Sequence, residues 1–63
     1  MNDFHKDQEV NHRIHQVEYA LNALADLSRA RGEYNEDIDR TVPSVYGEFY
    51  VNEDGRYRFS WYA

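Results

Sequence analysis

The chain has 63 residues, no cysteine, and twelve acidic side chains against seven Lys and Arg, for a formal net charge of −5. These figures exclude disulfide staples and cysteine-based metal sites, and a chain this short buries only about 60 % of its unfolded surface. The acidic balance disfavours non-specific nucleic-acid binding, whose affinity comes from neutralised phosphates, and suits attraction to a basic partner.

No apolar run approaches the roughly 20 residues that span a bilayer, and Met1 to Lys6 lacks the apolar core of a secretory signal. The expectation is a single small cytoplasmic domain, read from a complete small open reading frame that starts at Met1.

From about residue 7 to residue 31 the sequence predicts one helix. Val10, Ile14, Val17, Leu21 and Leu24 recur at alternating spacings of four and three, and Ala20 and Leu27 widen the stripe. Asp3 or Asp7 suits the N-cap, Arg29 and Arg31 suit the negative end of the dipole, and Gly32 suits the position after the C-cap. The stripe has two uses: to cover a sheet, or to pair with a second chain as a short coiled-coil seam. We therefore expect Ile14, Leu21 and Leu24 at a dimer contact or in the core, and Glu18 and Asn22 in solvent.

Residues 32–44 read as an acidic linker. Glu33, Glu36, Asp37 and Asp39 crowd it, Asn35 suits the cap of a single turn, and Val42-Pro43-Ser44 stops any helix. Such a tract is a solvated loop or a docking strip for a basic partner.

Residues 45–62 read as a β-hairpin with a specified register. Glu53-Asp54-Gly55 forms a three-residue loop with Gly55 left-handed, so Asn52 opposes Arg56, Val51 opposes Tyr57, Phe49 opposes Phe59 and Gly47 opposes Trp61. Phe49, Val51, Tyr57, Phe59 and Trp61 then share one face. A four-residue loop would place a charge among them. The opposite face carries Tyr46, Glu48, Tyr50, Arg58, Ser60 and Tyr62. Tyrosine and arginine are enriched where proteins bind one another, and aromatic residues also simply favour strands. A two-stranded hairpin leaves open edges, so pairing with a second copy is the expected remedy.

Other chemistry is thinly represented. His5, Glu9 and His12 fall at i, i+4 and i+7, and His12 and His15 at i, i+3, yet nothing nearby completes a metal site. No nucleophile elbow, glycine-rich phosphate loop or cofactor motif is present, so neither an enzyme nor a cofactor is expected. In size and composition the chain is similar to the small, acidic, cysteine-free accessory proteins encoded by bacteria and especially their phages, a likeness that carries no motif.

The sequence therefore points to an α+β protein: one long N-terminal amphipathic helix, an acidic linker and a C-terminal hairpin completed by dimerisation. Its expected role is inhibition or modulation of a host or viral machine by protein–protein contact. The expected contacts are Tyr46, Glu48, Tyr50, Arg58 and Tyr62 with Glu33, Glu36, Asp37 and Asp39. The alternatives are a nucleic-acid-binding regulator using the aromatic and arginine face or the helix end at Arg29 and Arg31, and a structural subunit of a larger assembly. Binding to generic DNA that falls steeply with salt would favour the first alternative.

Overall fold

The computed structural model describes residues 7–35 and 40–62. It has one helix followed by a three-stranded antiparallel sheet: α1 (Gln8–Ala30), β1 (Thr41–Pro43), β2 (Gly47–Val51) and β3 (Tyr57–Trp61), with β2 in the centre.

Both ends of α1 are closed by local chemistry. Asp7 is the N-cap, its carboxylate accepting from the Glu9 and Val10 backbone N–H groups at 2.9 and 3.3 Å. Two otherwise orphaned donors of the first turn are thereby satisfied. At the far end Gly32 sits at φ 70, its N–H donating to Arg29 C=O while Glu33 N–H donates to Ser28 C=O. This nested pair is the Schellman arrangement, and a left-handed residue at that position favours glycine.

The hairpin register is the one the loop chemistry predicts. Gly47 pairs with Trp61, Glu48 with Ser60, Phe49 with Phe59, Tyr50 with Arg58 and Val51 with Tyr57. Gly55 has φ 77, and Asn52 organises the loop, its side-chain oxygen accepting from Asp54 N–H and Arg56 N–H, both at 3.0 Å.

The linker expectation needs correction: it contains a strand. Thr41 pairs with Tyr50, Val42 with Phe49 and Pro43 with Glu48. Pro43 reads as a breaker, but β1 is an outer strand and Pro43 lies between the ladder bonds made by Arg40 C=O and Ser44 N–H. A missing donor on that outer side removes nothing from the ladder. Between β1 and β2 the Ser44 hydroxyl ties the turn, accepting from Tyr46 and Gly47 N–H and donating to Gly47 C=O at 2.8 Å. The hairpin is thus not two-stranded, and the case for a second chain completing it loses one of its two open edges.

The core sits between α1 and the inner sheet face, where Ile14, Ala25, Phe49 and Tyr57 are buried. Val10, Leu21, Val42, Val51, Phe59 and Trp61 pack around them. Phe59 stacks obliquely on Phe49 (4.7 Å between centroids) and edge-on against Trp61 (5.0 Å). Gly47 makes room for that cluster. A methyl group there would collide with Ser60 C=O, lie 2.7 Å from the Phe59 ring and 2.9 Å from Trp61 Cα.

One expectation about α1 is reversed, that for Asn22, and another is narrowed, since Leu24 lies outside the core. Asn22 is buried at 7 % exposure, whereas Leu24 is 60 % exposed. The period of the stripe establishes that a buried face exists, but its centre is set by where the sheet sits. The sheet lies against the Ile14–Asn22–Ala25 side. Leu24 is rotated off that side, together with Val17 and Leu27.

Candidate interaction surfaces

Asn22 explains how the helix is fixed on the sheet. β3 is an outer strand, and at Tyr57 its outward N–H donates to the Asn22 side-chain oxygen at 2.7 Å. The Asn22 amide N–H₂ donates back to Tyr57 C=O at 3.3 Å. One side chain of α1 thus imitates a neighbouring strand, and satisfies two polar groups that would be costly to leave bare in a buried place. Ion pairs flank the clamp. Arg56 meets Asp26 at 2.6 Å, and Arg58 meets Glu18 at 3.4 Å. Further along, Arg29 donates to Gly55 C=O at 2.9 Å, lies 4.1 Å above the Tyr34 ring and approaches Asp26 at 4.0 Å. Arg29 thereby ties the helix end to the hairpin loop at Gly55.

Of the side chains expected on the outer sheet face, Tyr50 and Tyr62 are there and exposed, at 37 % and 53 %. Glu48 stands half-buried in the same face, opposite Ser60. Two others are elsewhere. Tyr46 is half-buried against the core cluster, because it belongs to the turn after Ser44 and escapes strand alternation; Val45 points out instead, at 79 % exposure. Arg58 folds back along the β3 edge, donating to Tyr57 C=O and pairing with Glu18. What remains open is a face with Thr41 and Tyr50 in one cross-strand row and Pro43, Glu48 and Ser60 in the next. Among the described residues no element covers it.

Glu33 is exposed and paired with Arg31 at 3.3 Å. Glu36, Asp37 and Asp39, with the turn expected at 36–39, lie outside the described residues, as does His5. Glu9 is engaged by Arg13 at 2.8 Å, and His12 and His15 are exposed. Among the described residues no group of three His, Asp or Glu side chains is gathered for a metal.

The expected dimer residues divide. Ile14 is buried in the chain's own core and Leu21 is packed against it, leaving only Leu24 fully presented. Beside Leu24 stand Val17, a seam position of the expected coiled coil, at 42 % exposure, and Leu27, which widens the stripe, at 54 %. The signal for them was present: the apolar residues of α1 cover too wide a sector for one small sheet to bury. Two apolar hollows of about 300 Å³ and 340 Å³ adjoin this side of the helix, and both include Val17.

Among the described residues no helix is long and apolar enough to cross a membrane. No family model, curated protein or solved structure matches the chain.

Proposed function

We propose that this protein works by protein–protein contact, as a small acidic accessory protein that inhibits or modulates a larger machine. The observation that carries the reading is the open outer face of the sheet, where Tyr50 and Tyr62 stand exposed beside Glu48. Tyrosine offers a rigid apolar ring with a polar tip, and loses little conformational freedom on binding. The chain's formal net charge of −5 biases the partner toward a basic surface. The cytoplasmic setting expected from the cysteine-free sequence belongs to the same reading.

The nucleic-acid alternative fits the arginines poorly. Arg13, Arg29, Arg31, Arg56 and Arg58 each face a carboxylate of this chain within 4.0 Å, so phosphate would have to displace an existing pair. Binding rather than catalysis also suits a site of exposed tyrosines with no activated nucleophile beside them.

The test is affinity capture with the wild type beside a Tyr50→Ala/Tyr62→Ala double variant, both exposed changes that leave the core intact. The reading expects a protein held by the wild type and lost from the variant, and no retention of generic DNA at physiological salt. Equal capture by both chains would refute the tyrosine face, and salt-sensitive DNA retention would favour the alternative.

A further inference from the structure

Of the five arginines that face a carboxylate, Arg29 and Arg56 have the most buried side chains, 34 % and 36 % exposed. Burial of a charge demands a close partner, and Arg56 has one in Asp26 at 2.6 Å. Arg29 does not. Asp26 stands 4.0 Å from its guanidinium, beyond hydrogen-bond reach, and keeps the short pair with Arg56 whatever Arg29 binds. Of the five N–H donors of Arg29, Gly55 C=O takes one at 2.9 Å, and the Tyr34 ring lies under the group at 4.1 Å. Among the described residues no carboxylate hydrogen-bonds to this half-buried cation.

The space beside it is rich in donors. Arg29, Tyr34, Arg40 and Asn52 line a cleft of about 240 Å³ together with Glu53 and Gly55. The Asn52 side-chain oxygen is already engaged by the Asp54 and Arg56 N–H groups, which leaves its amide N–H₂ as a donor. Arg40 is set in place by its backbone, its C=O accepting from Val51 N–H at 3.1 Å. Against these donors the lining offers one carboxylate, Glu53, and it is exposed. The end of α1 adds little opposition. The Leu27, Ser28 and Arg29 carbonyls accept from the Arg31, Glu33 and Gly32 N–H groups, so the negative end of the helix is capped.

We infer that the cleft between Arg29 and Arg40 binds a small oxyanion, the phosphate or carboxylate group of a compact ligand. A guanidinium presents paired N–H donors that match either group. The Tyr34 ring and the Gly55 tether hold the Arg29 fork in position before the anion arrives, which reduces the freedom lost on binding. The volume falls below the roughly 300–1,000 Å³ of ordinary ligand pockets, so the cleft admits an anionic head and little more. It does not supply the row of phosphate contacts that nucleic acid needs. It shares no residue with the tyrosine face, so the two sites fail or succeed separately.

The test is a titration of backbone and arginine side-chain NMR signals with inorganic phosphate, and with acetate in a parallel arm. Sodium chloride holds the ionic strength constant in both. The wild type should show saturable shifts at Arg29 Nε–H, Asn52 and Gly55, with a dissociation constant on the order of 1 mM. Arg29→Lys keeps a charge but loses the fork, and should weaken binding roughly tenfold. Arg40→Gln, which leaves the tether of helix to loop in place, should weaken it roughly fivefold. Glu53→Gln removes the one opposing charge of the lining and should tighten it roughly twofold. The Tyr50→Ala/Tyr62→Ala variant should bind like the wild type. Tighter binding of phosphate identifies a phosphate-bearing ligand and tighter binding of acetate a carboxylate; either upholds the cleft. Shifts that sodium chloride alone reproduces, or no saturation by about 50 mM of either anion, overturn the proposal and leave the Arg29 charge to acids of this chain. Affinity indifferent to Arg29→Lys and Arg40→Gln alike overturns it as well, by placing the anion elsewhere.

Discussion

Leu21 and Leu24 are the same residue three positions apart on one helix, yet Leu21 packs on the core and Leu24 is 60 % exposed. Between them lies Asn22, polar and buried at 7 %. The sheet-facing side of α1 is therefore a mixed surface that combines apolar packing with a hydrogen-bonded clamp on the edge of β3. The outward side is the more uniformly apolar of the two, and among the described residues nothing covers it. Apolar character alone does not mark the inside of a protein this small. What marks it is the sum of packing and polar satisfaction, and the one helix and three strands of the described residues cover α1 on one side alone.

Substitutions on the buried side should break the fold in graded steps. Ile14→Ala, which removes a branched side chain from the centre of the core, should cost about 2–5 kcal/mol in urea unfolding, enough to leave much of the chain unfolded at ambient temperature. Gly47→Ala should cost about 3 kcal/mol, because the added methyl meets backbone at Ser60 and Trp61, which cannot move aside as a flexible side chain does. Loss of the cooperative near-ultraviolet transition would report it. Asn22→Ala should cost about 1–3 kcal/mol, since it strips Tyr57 N–H and C=O of their partner, and the Tyr57 amide should lose its protection from hydrogen exchange. Gly55→Ala should cost about 1 kcal/mol, by forcing a β-carbon into φ 77 with Arg29 Nη2 only 3.3 Å away. A neutral result there would remove the loop from the elements that α1 holds in place.

The parts of this fold that the sequence discloses are those fixed by local chemistry. Asp7 and Gly32 bound the helix because a cap and a left-handed residue act within a turn. The hairpin register follows from Gly55 together with the requirement that Phe49, Tyr57 and Phe59 share a face, and any slip would expose them. β1 was hidden because it is three residues long, contains a proline and turns only Val42 inward, too little for alternation to register. Tyr46 departs from strand alternation for a related reason: the Ser44 turn interrupts the period on which face assignment depends. The surfaces were less legible than the fold. Periodicity shows that α1 has an apolar sector but not which half the sheet takes, so Asn22 is buried against expectation and Leu24 stands outside the core. Strand alternation assigns Arg58 to the tyrosine face, whereas its partner Glu18, forty residues earlier, draws it to the β3 edge.

The division of α1 into a side that holds the fold and a side that does not is tested most directly by one paired measurement. Asn22→Ala and Leu24→Ala are unfolded in urea side by side, at a concentration of about 1 µM that keeps self-association out of the reading. Losing a polar side chain should cost about 1–3 kcal/mol, while losing the leucine two residues away should stay within about 0.5 kcal/mol of wild type. A Leu24→Ala loss equal to or greater than that of Asn22→Ala would contradict the account, and would mean that the outward band is part of the folding core.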